Sequence, residues 1–243
     1  RAAVRESRLE KAGDGVVGAL KLLALCEPLD IDALTELAGE AAVDEAEMRG
    51  LIRFQQDGPL FNARFSHPLV GDVVRSKVGR AAERRLKGQG VQVLRRRGLE
   101  TAASRIRMAQ LSIDSDQTID NDLLAAAAKD AIYLSNLPLG ERLARMAFDR
   151  SGDLQSAALL SRALLWQGKP AAAEAILARF APGDLDELQL VQWGVPRVST
   201  LFWSMGDVAK AHEVLALVNE RVRHPALRLV MDATAAAMAL RAA

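Results

Sequence analysis

The 243-residue chain sets 32 Lys and Arg against 31 Asp and Glu, a net charge of +1, and half of its residues are hydrophobic. A disordered main state is thereby excluded, as is a whole-molecule field for nucleic acid or membrane, so any such binding has to be local. One cysteine, Cys26, excludes an internal disulfide or a multi-cysteine metal site, and ten aromatic residues among many alanines favour helices over a sheet sandwich.

From the N-terminus, Arg1 to Glu6 lacks the apolar core of a signal peptide, and no run of 18 apolar residues follows anywhere. With the lone cysteine, this points to a reducing compartment, the cytoplasm. Gly13 to Gly18 fits G-x-G-x-x-G but follows a polar stretch and no apolar strand, so it predicts a flexible lead-in to a helix and no dinucleotide cradle. Val16 to Cys26 predicts an apolar helix stopped by Pro28. Asp30 caps a second helix through Leu34 and Leu37, Gly39 ends it, and Val43 to Arg49 forms a third. Leu51 to Phe54 and Leu60 to Phe65 read as two strands of a hairpin around a polar turn at Asp57-Gly58-Pro59. Three helices and a hairpin make a winged helix.

A DNA-binding winged helix needs Lys or Arg on the helix that enters the groove. Here the span Glu27 to Gly50 holds eight acidic residues and one basic residue, Arg49. Direct nucleic-acid binding by this domain is not expected. Ser66-His67-Pro68-Leu69 then opens another helix, with His67 or Ser66 as its cap and proline in the first turn.

Charge changes sign near Arg75. Residues 1–74 hold 8 basic and 13 acidic side chains, residues 75–107 hold 11 and 2, and residues 108–243 hold 13 and 16. A domain edge is predicted there: a winged-helix-like domain over 1–75, a basic connecting helix over 76–98 and a helical repeat region over 99–243. The basic run includes Arg84, Arg85, Arg95, Arg96 and Arg97. It reads first as a solvated helix face, with docking onto an acidic partner surface as the functional alternative. No Phe, Tyr or Trp lies between Phe65 and Tyr133 to stack a base.

Asp114, Asp116, Asp120 and Asp122 lack the glycine and terminal glutamate of an EF-hand loop, and read as a polar linker. Beyond them the sequence repeats: Gly168, Ala173 and Leu177 return 38 residues later as Gly206, Ala211 and Leu215, behind helices that carry Trp166 and Trp203. Glycine permits the tight turn, alanine lets two helices approach, and leucine fills the groove between them. Asn136 with Leu143, Ala144 and Ala147 is a weaker earlier copy. An α-helical solenoid of degenerate tetratricopeptide-like units is expected. Trp166 and Trp203 read as core residues, with a ligand groove as the alternative.

The expected fold is therefore all-α, a small winged-helix domain with one β-hairpin followed by a helical solenoid. The absence of an initiating Met and a helical pattern that runs to Ala243 lead us to expect a piece of a longer protein. No catalytic constellation is visible. His67, His212 and His224 are far apart and outside any zinc spacing, there is no G-x-S-x-G elbow, and the one Gly-Lys pair precedes Pro170 rather than completing a P-loop.

Three stretches, Leu23 to Leu29, Gly50-Leu51-Ile52 and Phe65 to Arg75, in this order and ahead of the repeats, resemble the middle of large ATP-binding LuxR-type transcriptional regulators. In that family a P-loop ATPase of the signal-transduction class precedes the winged helix, and a DNA-binding helix-turn-helix follows the repeats. The resemblance implies a non-catalytic regulatory segment with no cofactor of its own, ATP or ADP being held by the ATPase module. It implies partners in the regulator's own ATPase and DNA-binding modules, an inducer that is a small molecule or a protein, and no membrane contact. It also makes His67 the counterpart of a histidine that reaches the phosphates of bound ADP, although Pro68 stands where that family has aspartate. The rival expectation is a protein-interaction scaffold without nucleotide coupling.

Overall fold

The computed structural model describes residues 12–57, 60–98 and 101–242. It divides into two compact units between Ile119 and Asp120. The fold is helical with one small sheet.

In the first unit, α1 (Asp14–Cys26) is almost wholly apolar and buries Val16, Ala19, Leu20, Leu23 and Cys26. Because it starts at Asp14, Gly15 and Gly18 are helical residues, and the glycine pattern forms no phosphate loop. Leu29–Asp30 forms β1, a strand absent from the sequence reading, since two residues are too few to show alternation. Asp30 also caps α2 (Ile31–Ala38), its Oδ1 accepting from the Ala33 N–H at 2.8 Å. Gly39, at φ +86°, joins α2 directly to α3 (Glu40–Met48). β2 (Ile52–Asp57) and β3 (Leu60–Phe65) pair antiparallel with Ile52 opposite Phe65 and Phe54 opposite Ala63, while β1 adds on the other edge of β3. Residues 58–59 of the expected turn lie outside the described residues.

α4 (Pro68–Ser76), α5 (Arg80–Arg97) and α6 (Ala102–Ile113) complete this unit. The basic segment expected as a connection thus packs within the first unit, α5 lying against α1 and α2. Gly90 faces α1, where a Cβ would sit 2.8 Å from the Cys26 Sγ.

The second unit stacks helix pairs: α7 (Asn121–Tyr133) with α8 (Leu137–Ser151), α9 (Leu154–Trp166) with α10 (Pro170–Leu177), and α11 (Glu187–Ser199) with α12 (Val208–Arg221). α13 (Pro225–Ala242) follows and packs on α11 and α12. Short links make paired helices antiparallel neighbours. The turn inside each pair carries a residue of positive φ: Ser135 at 63°, Gly168 at 73° and Gly206 at 71°. The first turn, expected at Asn136, has its positive φ one residue earlier, at Ser135, where serine stands in place of glycine.

Two insertions stretch the last period. A 3₁₀ turn at Pro182–Asp184 follows α10, and α11 widens into a π-helix over Thr200–Met205. Pro196, with no N–H for the helical ladder, lies one turn ahead of that widening, the kind of site where π-turns arise. Ala173, Leu177, Ala211 and Leu215 are buried as their spacing predicts. Trp193 fills the centre of this packing: its Nε1–H donates to the Leu177 carbonyl at 2.9 Å, and the Arg197 guanidinium lies 4.5 Å from its ring centroid. Arg197 also forms a buried ion pair with Glu174, its Nε donating at 3.0 and 3.1 Å. Burying both charges is tolerated because each is hydrogen-bonded by the other.

Candidate functional site

His67 is the N-cap of α4, half-buried, with Nδ1 accepting from the Leu69 N–H at 3.3 Å. A nitrogen that accepts carries no proton, so the neutral ring holds its proton on Nε2. That N–H is free to serve as a donor toward an anion, while the cap fixes the ring.

The five arginines singled out as a docking patch are spread along α5, and four of them have partners inside the unit. Arg84 donates to the Ser115 carbonyl at 3.5 Å and Arg95 to the Thr118 carbonyl at 3.1 Å. Arg96 pairs with Glu36, and Arg97 with both oxygens of Asp30. Arg85 is exposed. Upstream, Arg75 donates twice to the Ala24 carbonyl, at 3.1 and 2.9 Å, closing the end of α1. Arg96 and Arg97 therefore answer the acidic stretch before them, while Arg75, Arg84 and Arg95 bond backbone carbonyls. On α3, Glu40, Asp44 and Glu47 remain exposed, so the helix in the recognition position presents negative charge.

Cys26 is fully buried, and burial pushes its thiol up to about 11 despite the nearby Arg107 and Lys87 charges. Arg107 donates to the Glu27 carbonyl, and its burial pulls the guanidinium down to about 10, still charged at neutral pH. Neither group opens onto a described recess. Among the described residues, no cluster of three or more His, Cys, Asp or Glu could hold a metal ion, and no helix is long and apolar enough to cross a membrane.

A cleft of about 1000 Å³ lies in the second unit. It is lined chiefly by α7, α9 and α11, the first helix of each pair. Ala125, Ala126 and Ala158 contribute small side chains to its lining, and Leu159, Val195 and Pro196 larger apolar ones. Lys129, Arg162 and Trp166 stand toward the C-terminal ends of their helices, Asn121, Asp122 and Asp153 toward the N-terminal ends. Arg162 is oriented by Tyr133, its Nη1 donating to the hydroxyl at 3.2 Å and its guanidinium lying 6.0 Å from the ring centroid.

Trp166 is 51% exposed and lines this cleft. Trp203, 38% exposed, lines a different recess of about 490 Å³ with Leu229, Ala233 and Ala237 of α13. The two tryptophans are therefore exposed rather than core residues, and each lines a recess, Val230 lining both. Each closes a helix just before a turn, where the side chain projects past the packing face, and Trp193 holds the core position instead. Trp193 has no repeat partner along the chain by which it could be recognised. Nor did spacing disclose the cleft's cations, because Lys129 and Arg162 come to line one cleft only when α7 and α9 stack.

No known protein-family pattern matches the chain, and no curated protein matches it. Among solved structures it is similar to a Signal Transduction ATPase with Numerous Domains (STAND) protein with a tetratricopeptide repeat sensor from Pyrococcus horikoshii, at 14% identity and a TM-score of 0.50. The likeness covers 95% of this chain but 35% of that one, so the chain spans about a third of the length of the protein it matches. At that identity the likeness is one of fold: the order of elements along this chain is found within a STAND protein.

Proposed function

We propose that this chain is a non-catalytic regulatory and sensor segment of an ATP-binding transcriptional regulator of the LuxR type. The observation that carries the reading is the succession of an acidic winged helix and a helical-repeat unit with an open cleft, an order shared over 95% of the chain with a STAND protein that has a repeat sensor. A ligand or partner in the cleft favours one arrangement of the stacked helices. Through the winged helix this biases the nucleotide state of an ATPase module, and with it the DNA-binding module. His67 contributes its Nε2–H to the phosphates of ADP held by that module, and the chain itself binds no cofactor, no nucleic acid and no membrane. It works in the cytoplasm.

The complete reading frame tests this directly. A P-loop coding sequence upstream and a basic helix-turn-helix downstream are expected, and a frame with neither contradicts the reading. In the intact protein, His67→Ala is expected to weaken ADP binding, and an unchanged affinity removes His67 from the mechanism. A second reading, an interaction scaffold without nucleotide coupling, is favoured by one feature: Arg95, Arg96 and Arg97 are engaged within their own unit, which leaves less positive surface for an ATPase module.

A further inference from the structure

One face of the small sheet gathers positive charge that its surroundings do not balance. Strand residues alternate sides, so with Ile52, Ala63 and Phe65 buried on the core side, Arg53 of β2 and Arg64 of β3 share the other. They stand directly opposite each other in the pairing, where like charges repel. Arg53 is exposed and, among the described residues, has no partner. Arg64 reaches one carboxylate, Glu27, through a single bond at 3.3 Å. Arg107 of α6 converges on the same residue, its Nη1 donating to the Glu27 carbonyl, while its Nε and Nη2 are buried with no hydrogen-bond partner. Those two atoms form the side-on edge by which a guanidinium holds two oxygens of one oxyanion, so the unmet donors are a matched pair. Among the described residues, three guanidinium groups are thus gathered around one carboxylate.

We propose that this face of the sheet binds a phosphate dianion, free or as the terminal group of a small phosphomonoester. Two negative charges balance the two guanidinium groups that Glu27 leaves over, and oxygens bridging Arg53 and Arg64 turn a repulsive cross-strand pair into a clamp. Glu27 is the resident competitor: half-buried and held by one bond, its carboxylate leaves Arg64 as phosphate arrives and opens the Nε–Nη2 edge of Arg107. A carboxylate ligand brings one charge and leaves one guanidinium unbalanced. A nucleic-acid phosphodiester also brings one, and the exposed acids of α3 repel its neighbours. This site belongs to the first unit and does not rest on the reading of the cleft.

The test is calorimetric titration of the whole chain at pH 8, where phosphate is a dianion, with inorganic phosphate, ribose 5-phosphate, acetate and a short DNA duplex. Inorganic phosphate is expected to bind saturably and acetate about tenfold more weakly or worse. Arg53→Gln combined with Arg64→Gln is expected to cut phosphate affinity about tenfold at unchanged circular dichroism, both side chains being at least partly in solvent. Glu27→Gln is expected to raise that affinity about threefold by removing the competing carboxylate, a gain that a purely structural ion pair does not produce. Ribose 5-phosphate binding more tightly than inorganic phosphate supports the site and names a monoester as its ligand, and weaker binding supports it with the free ion. Absence of saturable phosphate binding, an affinity that fails to fall in the double variant or to rise with Glu27→Gln, equal binding of acetate, or saturable binding of the duplex each overturns the proposal.

Discussion

Cys26 shows how completely burial controls a side chain here. A thiol pushed up to about 11 holds almost no thiolate at pH 8, and the thiolate is the reacting species. Disulfide-exchange reagents are therefore expected to leave the native chain unlabelled at pH 8 and to label it fully in denaturant. A native rate equal to the unfolded rate would show that the α1–α5 contact at Gly90 is absent in solution. His67 is constrained differently, by a single cap bond that selects its tautomer. The cap was legible from Ser66-His67-Pro68, because proline at N1 marks a helix start. The partners of Arg96 and Arg97 were not legible, since Glu36 and Asp30 lie 60 and 67 residues away along the chain.

Among the elements, the close helix contacts depend on residues without side chains. A Cβ at Gly194 would lie 2.6 Å from the Val218 Cγ2, which ties α11 to α12, whereas a Cβ at Gly183 would meet nothing within 4 Å. Gly194→Ala is expected to cost about 1–3 kcal/mol in urea unfolding and Gly183→Ala about 0.5 or less. Equal costs would mean that α11 and α12 do not approach so closely. Glu141 ties the first two pairs together: it accepts from Arg145, Gln167 and Lys169 at 2.8, 2.9 and 3.1 Å, and the Arg145 hydrogen bond leads in holding its carboxyl down to about 2. A depressed carboxyl stabilises the fold above its unfolded value near 4.5, and that contribution is lost as pH falls toward about 2. Glu141→Gln is expected to flatten the stability profile across that window, and an unchanged profile would place the pair's junction elsewhere.

At the scale of the whole molecule, the sequence reading anticipated the all-α class, the winged helix and the repeats, because caps, glycine turns and apolar spacing are local signals. It left out β1 and the π-turn after Pro196 and placed the first pair's turn at Asn136, one residue past Ser135, where two residues, an interior proline or an atypical turn residue carry the information. The cleft was less legible than the fold. Trp166 was in view as one wall, yet the cations beside it come from two helices that spacing alone does not align.

If the cleft communicates with a nucleotide-binding module, occupying it must change the affinity or lifetime of nucleotide there, since coupling free energy is reciprocal between sites. The most direct measurement is the rate of labelled-ADP release from the intact protein with and without Ala158→Trp, which fills the cleft without touching His67. A change of about fivefold or more is predicted, the lower end of ordinary coupling between sites. Identical release rates from a folded variant would contradict the account and leave the repeats a scaffold.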